Sequence, residues 1–318
     1  MTRSKNPSVT QRYDPWAPTQ PVEASNPLSR QARTPARLQR SHRRVSGCGC
    51  TPFLSGAMLG LIILLLVYLL APLRTNILLL GIDYTPPEHA VGRTDTIILA
   101  TVIPLKPYIG LLSIPRDLWI TIPGYGENRI NTAHFFAEAS QAGAGPLKAM
   151  ETIRANFGVD VEYYLRIRFD GFRQVIDAMG GVDLVLPEPM AGYPAGALHL
   201  NGNKALAFVR HRLGSDDFFR MERGQMVLKA ALKDALHPRN WRRLPVLLYT
   251  ASRALDTNIP VWQLPRLGLA LLRAGADGID NHTVSREMVT FATTSDGASI
   301  LLPDWSKINP VLFEMFGQ

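Results

Sequence analysis

Residues 51–73 carry no charged side chain, and the centre of this run reads Gly60-Leu61-Ile62-Ile63-Leu64-Leu65-Leu66-Val67. A helix needs roughly 20 apolar residues to cross the hydrocarbon core of a bilayer, and the run reaches that length. A buried core helix is the competing reading. Arg30, Arg33, Arg37, Arg40, Arg43 and Arg44 precede the run and only Arg74 directly follows it. That asymmetry predicts an N-terminus on the cytoplasmic side. A cleaved secretory signal has a shorter apolar core and a small-x-small cleavage site. Leu70-Ala71-Pro72-Leu73 offers no such site, so an uncleaved signal anchor is expected.

The 318 residues suit one medium domain with appendages, and a net charge of +8 invites a nucleic-acid reading. Its distribution argues otherwise. Of 34 Lys/Arg and 26 Asp/Glu, nine and two lie within residues 1–51, which leaves 25 and 24 for the remainder. The folded part is thus near neutral, as a groove-binding domain is not, and no nucleic-acid partner is expected. Residues 1–47 are rich in Pro, Ser, Thr, Gln and Arg and lack apolar periodicity. They predict a disordered tail whose basic end lies against anionic lipid. The only cysteines are Cys48 and Cys50, so the folded domain has no disulfide framework and no Cys-based zinc site. The expected organisation is a disordered basic cytoplasmic tail at 1–50, a transmembrane anchor at 51–73 and an extracytoplasmic domain at 74–318.

Beyond the anchor the pattern turns α/β. Strands are expected at 76–82, 96–103, 108–114, 118–122, 163–169, 182–186, 287–292 and 299–302. Helices are expected at 131–142, 145–156, 171–179, 204–212, 218–236, 244–255, 261–274 and 305–316. Such alternation predicts an α/β sheet with helices on both faces. No internal repeat and no Gly-rich nucleotide fingerprint is present.

Three polar clusters fall at strand or helix ends, where α/β proteins place their sites. In the first, Asp83 closes the run Leu78-Leu79-Leu80-Gly81-Ile82, with Arg93 and Asp95 shortly after. Two such carboxylates either hold one Mg²⁺, which takes one or two carboxylates and fills its shell with water and phosphate oxygens, or cap turns and pair with Arg93. In the second, Ile114-Pro115-Arg116-Asp117, the arginine either presents its planar fork to phosphate or forms a surface ion pair. The third, Arg210 to Gln225, crowds ionic side chains into the junction of two helices. There Asp217, Arg220 and Arg223 step by three, which places them on one face of a helical first turn. Cations in a first turn oppose the helix dipole, so a bound polyanion is one reason for them, and a solvated helix end is the alternative. Together the clusters hold what phosphoryl transfer needs: cations, a metal site and a group to orient the nucleophile. There is no HExxH and no CxxC, and His134 and His211 are the histidines nearest the clusters.

These motifs resemble those of the LytR–CpsA–Psr family of membrane-anchored cell-wall glycopolymer ligases. The resemblance rests on Leu79-Leu80-Gly81-Ile82-Asp83, Gly92-Arg93-Thr94-Asp95-Thr96, Ser113-Ile114-Pro115-Arg116-Asp117 and Arg129-Ile130-Asn131-Thr132-Ala133-His134. It rests also on Phe169-Asp170-Gly171-Phe172, Gly180-Gly181-Val182-Asp183 and the Arg210-to-Gln225 cluster, in that order along the chain. It covers the anchor and essentially everything from Asn76 onward.

The resemblance implies an α-β-α layered mixed sheet whose hydrophobic tunnel holds a polyprenyl chain, with arginines at its mouth that grip pyrophosphate beside Mg²⁺, Mn²⁺ being the alternative ion. It implies transfer of a phosphoglycan from a polyprenyl-pyrophosphate carrier to a cell-wall acceptor, peptidoglycan above all, with release of polyprenyl phosphate. Asp83 and Asp95 match the family's metal-side carboxylates. Arg93, Arg116, Arg210, Arg212, Arg220 and Arg223 fall on positions resembling its pyrophosphate-facing arginines. Arg116, Asp217 and Arg220 are the expected catalytic residues, Asp217 orienting the acceptor hydroxyl. The family commonly has Gln directly after the position of Arg223. Here Gly224 stands there, and Gln225 is the expected substitute contact with pyrophosphate. Two other readings of the same residues stand beside the ligase: a membrane sensor or transcription attenuator that binds lipid-linked glycan, and a polyprenyl-pyrophosphate phosphatase with water as acceptor.

Overall fold

The computed structural model of the chain describes residues 50–70, 74–83, 91–105, 108–211, 217–275 and 278–317, with backbone alone for 50–53 and 70. The expected tail, Cys48 and Arg212 lie outside the described residues. Contacts divide the chain into two units, Met1–Phe53 and Leu54–Gln318, and the α/β fold is built within the second.

The first element, α1 (Cys50–Leu70), is 21 residues of almost wholly apolar sequence. No helix among the described residues is long and apolar enough to cross a membrane. The expected span of 51–73 also takes in residues outside the described set, and α1 is described with side chains only over 54–69.

There follow β1 (Thr75–Asp83), β2 (Arg93–Ile103), β3 (Tyr108–Ile114), β4 (Trp119–Ile122), β5 (Gly126–Arg129), α2 (Asn131–Ser140), α3 (Gly145–Phe157), β6 (Tyr163–Arg168) and α4 (Phe169–Met179). The second half runs β7 (Val182–Leu186), β8 (Gly196–Leu200), α5 (Gly202–Arg210), α6 (Asp217–Leu236), α7 (Leu244–Ala254), β9 (Leu255–Thr257) and α8 (Leu264–Ala274). It closes with β10 (Ile279–Thr283), β11 (Val289–Thr293), β12 (Ser299–Pro303) and α9 (Trp305–Phe316).

Six strands form the main sheet in the order β10-β3-β2-β1-β6-β9. The pairs β10–β3 and β1–β6 are parallel, while β1–β2, β2–β3 and β6–β9 are antiparallel. The sheet is mixed, as expected. Its central strands are buried on both sides, which is why they read as near-continuous apolar runs rather than as alternation. Leu78, Leu80, Ile97, Leu99 and Leu112 face one layer, with Ile153 and Phe157 of α3 and Leu312 and Phe316 of α9. Ile77, Ile98, Ala100, Ile109 and Leu111 face the other, with Ala270 of α8. In that second layer Leu79, Leu165, Leu228, Leu232, Leu267 and Leu271 are only partly buried.

Four strands depart from expectation. β5, Gly126-Glu127-Asn128-Arg129, carries no apolar side chain and pairs antiparallel with β4. The segment of β10, Ile279-Asp280-Asn281-His282-Thr283, reads as a polar loop, yet it lies parallel to β3 at one edge of the sheet. An edge strand with partly exposed side chains does not need an apolar pattern. Three-residue β9 closes the opposite edge. In the small β7–β8 pair, β8 opens at Gly196 (φ 117°), and of its residues Leu200 alone is buried.

Candidate active site

The site lies where β1 and β3 end and β2 begins, beside α5 and α6. Its first determinant is the ladder between β1 and β2. Gly81 pairs with Thr96, Ile82 with Thr94 and Asp83 with Arg93, so Asp95 is left without a cross-strand partner. Asp95 is thus the extra residue of a β-bulge. In an unbroken ladder it would lie opposite Ile82, on the face away from Asp83, because side chains alternate with period two. A bulge re-aims its side chain. Asp95 and Asp83 line the same cleft as a result, and the Asp83 side chain acts on the Asp95 carboxyl.

Gly92 makes this return of the chain possible. A Cβ there would stand 2.4 Å from Ile82 Cγ2 and 2.5 Å from the Asp83 carbonyl oxygen, closer than atoms can approach.

Arg116 lies in the turn that leaves β3, where the Leu118 N–H bonds the Pro115 carbonyl. Its Nη1 donates to Asp95 Oδ1 at 2.7 Å, and its Nε lies 3.2 Å from Asp217 Oδ2 and 3.5 Å from Asp117 Oδ2. Asp117 also pairs with Arg129 at 3.5 Å. Arg220 Nη1 lies 3.1 Å from Asp217 Oδ1, and its Nη2 donates to the Asp95 carbonyl at 3.3 Å. Arg210 closes the other side. Its Nη2 is 3.6 Å from Asp83 Oδ1, and its guanidinium lies over the Phe169 ring at 4.8 Å. As the last residue of α5, Arg210 also sits at the negative end of that helix dipole.

Burial gives these groups unusual acidities. Desolvation works to raise the Asp95 carboxyl, but the Arg116 hydrogen bond and the charges of Arg116 and Arg220 prevail and hold it below its usual range. At Asp217 burial wins: its carboxyl is raised, with Arg220 and Arg116 offsetting only part of the effect. Burial opposes the Arg116 charge, yet Asp217, Asp95 and Asp117 more than compensate.

The cleft encloses about 550 Å³ of empty space, counting the part that merges with solvent. From α6 it is lined by Asp217, Arg220, Met221 and Gly224. That stripe corrects the expectation that Asp217, Arg220 and Arg223 share a face. At about 100° per residue, Arg223 is rotated roughly 120° from Asp217, while Gly224 returns to within about 20° of it. Arg223 is buried instead, donating from Nη2 to the His211 carbonyl at 2.6 Å.

Gln225 is also turned into the protein. Its amide nitrogen donates to Ser113 Oγ at 2.8 Å and to the His282 carbonyl at 2.6 Å. It ties α6 to β3 and β10 and reaches the cleft only through Ser113, which is part of the cleft wall. Arg93 is exposed, with its guanidinium 5.5 Å from the centre of the Phe135 ring. Of the expected residues, then, Asp83, Asp95, Arg116, Arg210, Asp217 and Arg220 come together, whereas Arg93, Arg223 and Gln225 stand apart. Sequence reasoning overlooked Phe169 and Ser113 as parts of the site. Phe169 is an aromatic residue at a strand-to-helix junction, and that position was the available signal.

No group of three or more His, Cys, Asp or Glu able to hold a metal ion occurs among the described residues. The Asp83–Asp95 pair nonetheless fits Mg²⁺, which needs only one or two carboxylates when phosphate supplies further oxygens. Two neighbouring carboxylates repel unless a proton or a cation lies between them. The charge count agrees. Arg116, Arg129, Arg210 and Arg220 do not exceed Asp83, Asp95, Asp117 and Asp217, so the arginines leave no surplus positive charge among these residues.

Residues 72–315 match the sequence model of the LytR_cpsA_psr family. The chain is 29% identical over 248 residues to the polyisoprenyl-teichoic acid–peptidoglycan teichoic acid transferase TagU of Oceanobacillus iheyensis, covering 76% of this chain and 75% of that one. It is 29% identical over 239 residues to the regulatory protein MsrR of Staphylococcus aureus, covering 71% and 70%. Its fold matches the crystal structure of B. subtilis TagV with a TM-score of 0.63 at 24% identity, covering 77% of this chain and 98% of that structure.

Proposed function

The chain belongs to the LytR–CpsA–Psr family, and from that premise we propose that it is a membrane-anchored phosphotransferase. It moves a phosphoglycan from a polyprenyl-pyrophosphate carrier to a hydroxyl of the cell wall, peptidoglycan being the acceptor class. The observation that carries this reading is the cleft that Asp83 and Asp95 line together, paired with Arg116, Arg210 and Arg220. The activity printed for TagU, transfer of teichoic acid from a polyisoprenyl carrier to peptidoglycan, supports the same reaction class.

The residues divide the work as follows. Arg116, Arg210 and Arg220 grip the pyrophosphate oxygens and balance the negative charge that grows on the departing polyprenyl phosphate. When the pyrophosphate draws Arg116 and Arg220 toward itself, the two oxygens of Asp217 that had held them are released. One of these accepts the proton of the acceptor hydroxyl, a role suited to a carboxylate whose basicity burial has raised. The hydroxyl oxygen bonds to the glycan-side phosphorus, and the bond from that phosphorus to the oxygen of polyprenyl phosphate breaks. Asp83 and Asp95 are the residues that would hold Mg²⁺ or Mn²⁺, which supplies Lewis-acid charge for phosphate oxygens. The incompletely buried leucines between the sheet, α6 and α8 suit the first isoprene units, whose binding energy acts far from the reacting centre. The uncharged run at 51–73 serves as the anchor in the bilayer, with the basic tail cytoplasmic and the cleft outside.

The test is to reconstitute the full chain in nanodiscs and supply a lipid-pyrophosphate glycan, peptidoglycan and Mg²⁺, with Arg116→Ala alongside. Both released polyprenyl phosphate and wall-attached glycan are followed. Attachment that requires Arg116 and the metal establishes the ligase. Lipid phosphate released without attachment makes the protein a phosphatase. Tight lipid binding with neither product makes it a sensor, the reading favoured by the regulatory name of MsrR.

A further inference from the structure

A short 3-10 turn, Val261–Gln263, leads from the sheet edge into α8. It exposes an unusual apolar surface. Val261 is 78% exposed, Trp262 is 67% exposed and Leu264 is 49% exposed. Scattered exposed hydrophobic residues are ordinary, but three within four positions, one of them Trp, are not.

The turn is firmly mounted. Gln263 Nε2 donates to the Tyr163 hydroxyl at 3.3 Å, which ties the turn to the start of β6. About one and two turns further on, Arg266 and Ala270 of α8 are buried. The apolar side chains are therefore held outward by a rigid base.

What they face is indicated by a single hydrogen bond. The Tyr68 hydroxyl donates to the Trp262 carbonyl at 2.6 Å. Tyr68 lies two residues from the end of α1, about 3 Å along the helix axis. Along α1, residues 54–67 are exposed, and only Tyr68 and Leu69 are partly covered. The turn thus meets α1 at its last turn, on the side of the catalytic domain.

We propose that Val261, Trp262 and Leu264 form a second membrane contact that seats the catalytic domain on the bilayer surface. This rests on the reading of α1 as the anchor. If α1 spans the bilayer, its last turn lies at the boundary between hydrocarbon and headgroups, where Trp and Tyr concentrate because their rings suit an environment apolar on one side and wet on the other. A residue hydrogen-bonded to Tyr68 lies at the same depth. The apolar side chains of the turn then enter the headgroup region beside the anchor. Two contacts in place of one fix the domain's orientation on the membrane, where a single helix would leave it free to swivel.

The experiment uses the full chain in nanodiscs of phosphatidylcholine and phosphatidylglycerol, with lipids brominated near the top of the acyl chain as fluorescence quenchers. Trp262→Phe removes the reporter while keeping an apolar side chain, so the difference between the two proteins isolates Trp262. The expected result is a quenched component in the parent protein that is absent in Trp262→Phe and at least halved in Val261→Glu. Val261 is exposed, so its substitution leaves the far-ultraviolet circular dichroism unchanged. A carbonate wash of the source membranes tests the anchor separately. A chain that stays in the washed membranes while Trp262 is unquenched overturns the second contact and leaves the anchor standing. A chain released by carbonate overturns both. An unquenched Trp262 whose substitution lowers the fraction of two-copy discs in mass photometry assigns the face to a second copy and overturns the lipid contact.

Discussion

Asp217 holds Arg116 and Arg220 with one carboxylate oxygen each, at 3.2 and 3.1 Å, so two guanidinium groups from different elements are fixed by a single acid. Arg116 comes from the turn after β3, and Arg220 from the first turn of α6. The same two arginines reach Asp95 on the bulge of β2. The arginines that would meet a phosphate are therefore positioned by carboxylates before any ligand arrives, which is how a charged site avoids reorganisation during reaction.

Arg116→Ala is expected to lower kcat by about 100-fold or more, the scale seen when one donor to a developing oxyanion is removed. It also leaves the largely buried Asp95 without its closest partner, which costs about 1–3 kcal/mol of stability. Arg116→Lys keeps the charge but loses the planar fork, and recovers stability more than turnover. Turnover assays paired with urea unfolding separate the two effects, and unchanged turnover in Arg116→Ala contradicts the assigned role.

Gln225→Leu tests whether this residue binds substrate or braces the fold. The substitution leaves Ser113 Oγ and the His282 carbonyl without their donor, so a stability loss of about 2–3 kcal/mol is expected. KM for the lipid-linked substrate should stay within about twofold of the parent. A large rise in KM with unchanged stability would return Gln225 to the pyrophosphate.

Gly224 lines the cleft from the middle of α6, and a Cβ there would meet nothing nearer than Val209 Cγ1 at 4.0 Å. Gly224→Gln therefore fits without a clash at its first atom. It should stabilise the helix by about 0.5 kcal/mol, because Gly is a poor helix former in an interior position. Its side chain enters the cleft, so KM should shift while the melting temperature rises slightly.

His134 controls a pH dependence. Burial, and then the charge of Arg166, push its imidazole down to about 4. Arg166 Nη1 lies 3.2 Å from His134 Nε2, and a guanidinium only donates, so that nitrogen must keep its lone pair. The folded state thus holds His134 neutral while the unfolded chain binds a proton below about 6.5. Stability from this group is fully present above pH 6.5 and is lost as pH falls toward 4, at up to about 1.4 kcal/mol per pH unit. Unfolding at pH 7 and pH 5 should show this loss in the parent, and His134→Gln should flatten it. An equal slope in both proteins refutes the assignment.

Much of the fold was legible in the sequence because it follows from local rules. The apolar runs of β1, β2 and β3 announce strands buried on both faces, and Gly180-Gly181 closes α4 with Gly180 at φ 91°. The edge strands β9 and β10 were not legible, since a strand that buries little requires little apolar sequence.

For the site, the sequence by itself determined the inventory: acids at the ends of β1 and β2, an arginine after β3, and a charged junction before α6. It also determined the apolar run ahead of the domain. Only the tertiary structure decided which of these groups meet. The bulge turned Asp95 toward Asp83, a shift of one residue that no composition records, because which extra residue a ladder ejects depends on how both strands are packed. The pitch of α6 chose Gly224 over Arg223 for the cleft. The docking of α6 on the sheet took Gln225 inward, where buried acceptors on β3 and β10 required a donor.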